Sequence, residues 1–305
     1  MSRHGSTPEA YDLIVLLITG PSGNVGFELV QLLARDTTGL PWRVASRHPG
    51  ESHSGTAESV VLDFFDPATW AAALDGVQSL FLLFPLPGNR AAREAIIPFV
   101  NAAQRAGCRH VVYVSVFGAD RARFIPHYKV ERALREGSMT WTVLRCSFFM
   151  QNLHRALSTH GIDIVERGEL FIPAGDGATT FLDARDAAAV AAEVLTDPKS
   201  HCNVVHHLTG PEALTMTEVA DALTTELRSP VHYVRPGLIA FARRLRTRGV
   251  GWDTIGFMSA VYSLTRVGAN QQVTGDVQRL LGRPPRTLRE FLRDSSWRWH
   301  QRSWT

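Results

Sequence analysis

An α/β fold built on a doubly wound parallel sheet, with a smaller C-terminal part beside it, is what this 305-residue sequence predicts. Three observations carry the prediction. Strand-length apolar runs alternate with helical patterns through the first half of the chain, the connections are long enough for right-handed crossovers, and the first run leads straight into a glycine-rich turn that opens a helix. In such a sheet ligands collect at the carboxyl ends of the strands, so the residues that follow each run are the ones to examine for chemistry.

The first run is Asp12–Ile18, followed by Thr19-Gly-Pro-Ser-Gly-Asn-Val-Gly26. Gly20 suits the tight turn off the strand, Gly23 lets backbone N–H groups approach an anion with no Cβ in the way, and Gly26 lets the helix lie close on the sheet. A helix N-terminus adds N–H donors and partial positive charge. Gly20, Ser22, Gly23, Asn24, Val25 and Gly26 are therefore the candidates for holding the pyrophosphate of a dinucleotide; a purely structural turn is the other reading.

Val25–Arg35 then reads as a helix with Leu29, Val30, Leu32 and Leu33 toward the sheet. Further strands are expected at Trp42–Ser46, Val60–Asp63, Leu80–Phe84, His110–Ser115 and Trp141–Arg145. Asp66-Pro67 starts a short helix with an N-cap and a first-turn proline, and Ala91–Ala106 is a long helical segment closed by Gly107.

The ends of these strands suggest roles. Ser46-Arg47-His48-Pro49 lacks the Asp or Glu that would bind both ribose hydroxyls of an unphosphorylated cofactor. Arg47 offers a guanidinium fork to a 2′-phosphate instead, which favours NADP(H) over NAD(H). Asp63 is placed to reach an adenine edge, or else is a loop carboxylate beside Asp66. Phe84 opens a proline-containing stretch to Gly88 that should pass the nicotinamide end. Ser115 carries a hydroxyl that either bonds a substrate carbonyl or caps the next segment.

Composition narrows the partners. A net charge of +3 is small for this length and implies neither a nucleic-acid nor a membrane partner. The Leu13–Ile18 run lacks the features of a secretory signal, and no apolar stretch is long enough to cross a bilayer. Cys108, Cys146 and Cys202 form no Cys-x-x-Cys pair, which points to reduced thiols in a cytoplasm. The partners expected are a small-molecule substrate and at most a second copy of the chain in a homodimer. Of 32 lysines and arginines only Lys129 and Lys199 are lysines, so a lysine inside a candidate site asks for a chemical reason.

The second half is less regular. Residues 152–180 are glycine-rich and read as loops with short strands; Asp186–Leu195 is an apolar helix and Val204–Leu208 a strand that rejoins the sheet. Thr215-x-x-Glu218 and Thr287-x-x-Glu290 are capping boxes that open helices. Leu238–Leu264 alternates aromatic with small residues, either as an apolar lid over an aromatic substrate or as packing between helices. The basic run Arg243–Arg248 reads as a solvated helix end, and the histidines around Cys202 lack the spacing of a metal site.

Residues 127–152, His-Tyr-Lys-Val-Glu-Arg-Ala-Leu followed by Trp-Thr-Val-Leu-Arg-Cys-Ser-Phe-Phe-Met-Gln-Asn, resemble the NmrA-like family, atypical members of the short-chain dehydrogenase/reductase superfamily. The glycine turn, Phe181-Leu-Asp-Ala-Arg-Asp-Ala-Ala, Leu208-Thr-Gly-Pro and the closing Leu281-Gly-Arg-Pro-Pro-Arg extend the resemblance over nearly the whole chain. It implies a Rossmann core over residues 1–152 that binds NAD(P), and a substrate-binding part over 153–305 from which 181–208 returns to the core. It also implies that Arg47 is the family's phosphate-binding arginine and that Lys129 is the lysine of reductase members, bonding the nicotinamide ribose and helping to position or protonate the reacting group. The Tyr-x-x-x-Lys pair of ordinary short-chain dehydrogenases is absent. Tyr128 precedes Lys129 directly, about 100° away around a helix, so Lys129, Tyr128 and His127 are rival proton donors. Cys146 stands where relatives often carry proline and is expected to reshape the pocket wall.

Three functions follow. The first is an NADPH-dependent oxidoreductase acting on an apolar or aromatic carbonyl, quinone, enone or imine. The others are a non-catalytic NADP(H)-sensing regulator acting through a protein partner, and an epimerase or other isomerase with a tightly held NAD(P).

Overall fold

Leu16 and Ile18 point to one side of the central strand and Leu17 to the other, and all three are fully buried, so apolar layers cover both faces of the sheet around them. The computed structural model describes residues 15–35, 41–48, 57–83, 88–153 and 159–295. The first half runs β1 Val15–Thr19, α1 Asn24–Leu33, β2 Trp42–Ser46, β3 Glu58–Val61, α2 Trp70–Leu74 and β4 Val77–Leu83. A helical stretch follows, made of α3 Asn89–Ala91, a π turn Ala92–Ile96 and α4 Ile97–Arg105, then β5 His110–Val116, α5 Pro126–Glu136 and β6 Thr140–Cys146.

These strands pair in parallel in a seven-stranded sheet of order β10-β6-β5-β4-β1-β2-β3, completed by β10 Val204–Leu208. The chain leaves β1 toward β2 and β3 and returns on its other side with β4, so the strand order reverses between β1 and β4. That reversal opens a crevice at their carboxyl ends. This is the doubly wound α/β architecture that the alternating runs predict.

The chain continues through β7 Phe148–Phe149, α6 Thr159–Arg167, β8 Glu169–Leu170, β9 Ala178–Leu182 and α7 Ala184–Thr196. After β10 come β11 Ala213–Thr215, α8 Met216–Leu227, β12 His232–Tyr233, α9 Leu238–Thr247, α10 Trp252–Arg266, α11 Asp276–Leu281 and α12 Leu288–Ser295. The alanines of α7, including Ala184, Ala187, Ala188 and Ala191, are fully buried in the same cluster as Leu29, Val30 and Leu33 of α1, and their small side chains let the two helices pack closely. A separate cluster gathers Phe171, Phe181, Leu223, Phe241, Tyr262 and Phe291 around the short strands. The closing segment is tied to α7 through Asp186, a fully buried carboxylate that takes hydrogen bonds from the side chains of Arg283 and Arg286.

Several expectations are corrected. Leu32 is 38 % exposed, because Val25, Gly26, Leu29, Val30 and Leu33 define the buried stripe and Leu32 falls about 90° from its centre, at the flank. β3 begins two residues earlier than the sequence suggests, which leaves Asp63 in the turn beyond it. Within 152–180 a helix, α6, replaces part of the expected loop. Gly161 argues against it locally, but Ile164 packs in the core and the buried Asp163 is held by Arg244 at 3.0 Å and Arg248 at 2.6 Å. The run 243–248 is accordingly no uniformly solvated end, since Arg244 also lies over the Phe171 ring at 3.3 Å. Both capping boxes form. Among the described residues no helix is long and apolar enough to cross a membrane.

His110, His127, His160 and His206 are buried, and burial lowers each from the usual 6.5 to about 4. Between those values the unfolded chain binds protons that the folded chain refuses, so stability is fully present above pH 6.5 and falls as pH drops toward 4. Thermal melts from about pH 7 down to about pH 4.5 should show Tm falling by several degrees. A flat Tm across that window contradicts the burial of these four rings.

Candidate active site

The crevice between β1 and β4 is closed on one side by the glycine turn. Thr19, the last residue of β1, donates from its hydroxyl to Phe81 O at 2.9 Å and accepts from Leu83 N–H at 3.1 Å, so one side chain clasps the two strands where they diverge. Gly20 then takes φ +65°, a left-handed turn that favours glycine, and Gly23 N–H donates to Gly20 O at 2.9 Å. A Cβ on Gly26 would sit 2.1 Å from Gly20 O, closer than any side chain allows. Glycine at 26 is what brings the start of α1 onto the turn.

The structure revises the reason for Gly23. A Cβ there would meet the Leu83 side chain at 2.4 Å, so this glycine, like Gly20, seats the turn on the end of β4 instead of leaving space toward a ligand. The opposite, amide-bearing side is what remains available, with Gly20, Gly23 and Asn24 half-buried and Ser22 exposed. The first turn of a helix leaves its N–H groups without intrahelical acceptors, and no side chain caps α1 at Gly23. These features fit the diphosphate of a dinucleotide. Val25 has a fully buried side chain, so a ligand can meet only its backbone. Asn24 Nδ2 donates to Asn152 Oδ1 at 2.9 Å, which ties the turn to the segment after β7.

Arg47 is exposed just beyond β2. Asp63 builds a turn: its Oδ1 accepts from Phe65 N–H at 2.9 Å and its carbonyl accepts from Trp70 Nε1 at 3.0 Å. The local reading thus accounts for one carboxylate oxygen. Phe84 lies outside the described residues.

Lys129 and Tyr128 are both half-buried near the start of α5. Tyr128 packs against Ala119, Ala122 and Ile125, a small cluster formed by the loop before the helix. Ser115 is corrected as a catalytic candidate. It is 1 % exposed and its Oγ donates to Glu131 Oε1 at 2.6 Å, so its proton is committed to a buried carboxylate. His127 is buried against Tyr113, whose hydroxyl lies 2.7 Å from Nδ1, and with its pKa near 4 it is no cationic acid at neutral pH. Cys146 is buried in the core among α1 and α7, where burial pushes its thiol far up, and does not line the aromatic-walled cavity beside α5.

A cavity of about 380 Å³ opens beside α5. Phe124, Trp252 and Phe257 give it aromatic walls, while Arg90, Arg93 and Asp253 supply charge. Ile125 and Pro126 also line it, and Lys129 follows Pro126 by three residues, close to one helical turn. The π turn sits at its other side and carries Arg93. Both readings of 238–264 therefore apply to different residues: Phe241 and Tyr262 pack inside the core, and Trp252 and Phe257 face the cavity. Sequence reasoning missed Thr19, Leu83, Asn152, Glu131 and Arg145. Only Thr19, a hydroxyl closing an apolar strand before glycine, left a readable trace.

Comparison with known proteins bears on the family and the fold. A model of the NmrA-like family matches residues 14–291. An NAD(P)H azoreductase of Xenophilus azovorans is 33 % identical over 286 residues, covering 92 % of this chain and 97 % of that one. Among solved structures, an NADPH-dependent quinone oxidoreductase of Escherichia coli complexed with NADPH superposes with TM-score 0.78 at 24 % identity, covering 92 % and 98 % of the two chains. A triphenylmethane reductase of Citrobacter sp. complexed with NADP(H) gives 0.76 at 23 %, covering 92 % and 99 %. At these identities the two structures speak for the fold.

Gly26→Ala should lower stability by about 1–3 kcal/mol through overpacking against the turn, whereas Gln278→Ala, at an exposed position on α11, should stay within about 0.5 kcal/mol of the parent. Denaturant unfolding of both variants checks the pair. Equal stabilities would contradict the close approach of α1.

Proposed function

The chain belongs to the NmrA-like family and is an NAD(P)-dependent oxidoreductase; from that premise we propose that it takes its hydride from NADPH and delivers it to a planar aromatic acceptor, a quinone, imine or conjugated carbonyl. The observation that carries this reading is the aromatic-walled cavity, one helical turn from the half-buried Lys129 and on the carboxyl side of the sheet. The residues at the end of β2 support NADPH, since Arg47 is exposed there with no carboxylate in the Ser46–His48 stretch to favour a free ribose.

The turn 20–26 holds the diphosphate through backbone amides, Arg47 pairs with the 2′-phosphate, and Asp63 borders the adenine end. The reduced nicotinamide supplies the hydride when the cofactor is bound. Phe124, Trp252 and Phe257 stack on the acceptor and keep water from it. Lys129 bonds the acceptor heteroatom and neutralises the charge that develops there, and as an ammonium it also has a proton to give. Tyr128 is the less suitable donor because its ring packs with Ala119 and Ala122. Residues 1–152 form the nucleotide part and 153–305 the substrate part, with 181–208 lent to the core.

Lys129→Ala should lower kcat with menadione by about 10²–10³-fold while leaving the NADPH dissociation constant within about threefold. Steady-state oxidation of NADPH and a binding titration check the two halves. Separately, Arg47→Ser should weaken NADPH binding by about 10–100-fold and leave NADH unchanged, as loss of a charge-assisted phosphate contact requires. If the parent protein binds NADPH but consumes it with no quinone, imine or enone, the oxidoreductase reading fails and a non-catalytic sensor of NADP(H) becomes the better account.

A further inference from the structure

Glu131 is fully buried on α5, yet its carboxylate is densely partnered. Oε1 accepts from Ser115 Oγ at 2.6 Å and from Arg145 Nε at 3.1 Å; Oε2 accepts from Arg145 Nη2 at 2.7 Å and from Arg135 Nη2 at 3.1 Å. Arg145, itself 4 % exposed, reaches onward to Asp120 Oδ1 at 3.2 Å and to His207 Nε2 at 3.3 Å. One connected polar network, with the Glu131–Arg145 ion pair at its centre, therefore joins the carboxyl ends of β5, β6 and β10, the loop before α5, and α5 itself.

A buried ion pair is weak evidence for a stabilising role. Taking two charges out of water offsets most of what their attraction returns, and apolar residues of similar size commonly hold a fold as well or better. Val130 and Leu134 already bury α5 against the sheet. Apolar contacts are non-directional and tolerate small slides and rotations, whereas a two-pronged guanidinium on a carboxylate fixes both angle and height.

We propose that the Glu131–Arg145 pair is a positioning device for the reaction: it fixes the rotation and height of α5 over β5 and β6, and with them Lys129 two residues earlier and the cavity edge at Ile125 and Pro126. This rests on the reading of Lys129 and the aromatic cavity as the acceptor site. Neither Glu131 nor Arg145 touches the acceptor; both act through the helix. Sequence alone hides the pair, because its members are 14 residues apart on a helix and a strand.

The test replaces both charges by apolar groups of similar length, Glu131→Met with Arg145→Met, and pairs this with the conservative single change Arg145→Lys, which keeps the charge and loses the fork. Each protein is examined by thermal melting, NADPH titration, menadione reduction and titration with 2-naphthol, an aromatic probe that takes no hydride. The double variant should melt cooperatively and bind NADPH within about threefold of the parent, because the glycine turn lies elsewhere. Its kcat should fall by about 10–100-fold, the scale set by small displacements of a reacting group, with KM for NADPH unchanged and the 2-naphthol dissociation constant raised at least about fivefold. Arg145→Lys should show the same split with smaller changes. Either variant, folded and with parental kcat and parental 2-naphthol affinity, overturns the proposal. If the double variant does not fold, Arg145→Lys decides alone. Failure of the parent to oxidise NADPH would instead sink the functional reading, and the 2-naphthol arm would still report whether the pair sets the cavity edge.

Discussion

The structure turns on how closely α1 approaches the turn that precedes it. With only 2.1 Å between Gly20 O and the place where a Cβ on residue 26 would stand, no other residue keeps the helix where it is. That contact sets the amino end of α1 at the point where β1 and β4 diverge, and Thr19 locks the two strands to each other there. A helix amino end at that divergence offers N–H donors and partial positive charge, which is why the diphosphate is proposed to sit there. The same placement allows the alanine-rich α7 to lie against α1, so nucleotide site and core packing have one geometric cause.

The acceptor side is organised differently. Its walls come from three distant parts of the chain, the π turn after β4, the start of α5 and the start of α10, and apolar contact alone would leave their mutual angles loosely defined. Buried charge supplies the missing direction. Glu131 and Arg145 do so beneath α5; away from the cavity, Asp163 with Arg244 and Arg248 ties α6 to α9 in the same way. In both cases the carboxylate is almost wholly buried and at least one of its arginines arrives from another element, so each cluster fixes a relation between elements that sequence order does not.

What the sequence revealed follows from how local the signals are. The continuous apolar runs of β1 and β5 and the glycines at 20 and 26 depend on backbone geometry within a few residues, so the sheet and its turn were legible. Asp66 and Thr215, whose side chains cap the turns they precede, were legible for the same reason. α6 was not, because Gly161 lowers its local propensity and the helix owes its place to Asp163 meeting arginines some 80 residues away. Ser115 misled for a related reason. A hydroxyl at a strand end has the right address for a substrate contact, and only the fold shows that Glu131 has claimed it. The family resemblance identified Lys129, while the cavity near it came from residues 88–93, 124–126 and 252–260, which no spacing rule connects.

The seat for the diphosphate is the claim on which the rest stands, and amide hydrogen exchange read by mass spectrometry with and without NADPH tests it most directly. Slowed exchange concentrated in the peptide spanning residues 19–27, saturating at one cofactor per chain, is the predicted result. Unchanged exchange there at saturating NADPH, or protection confined to other parts of the chain, would contradict it.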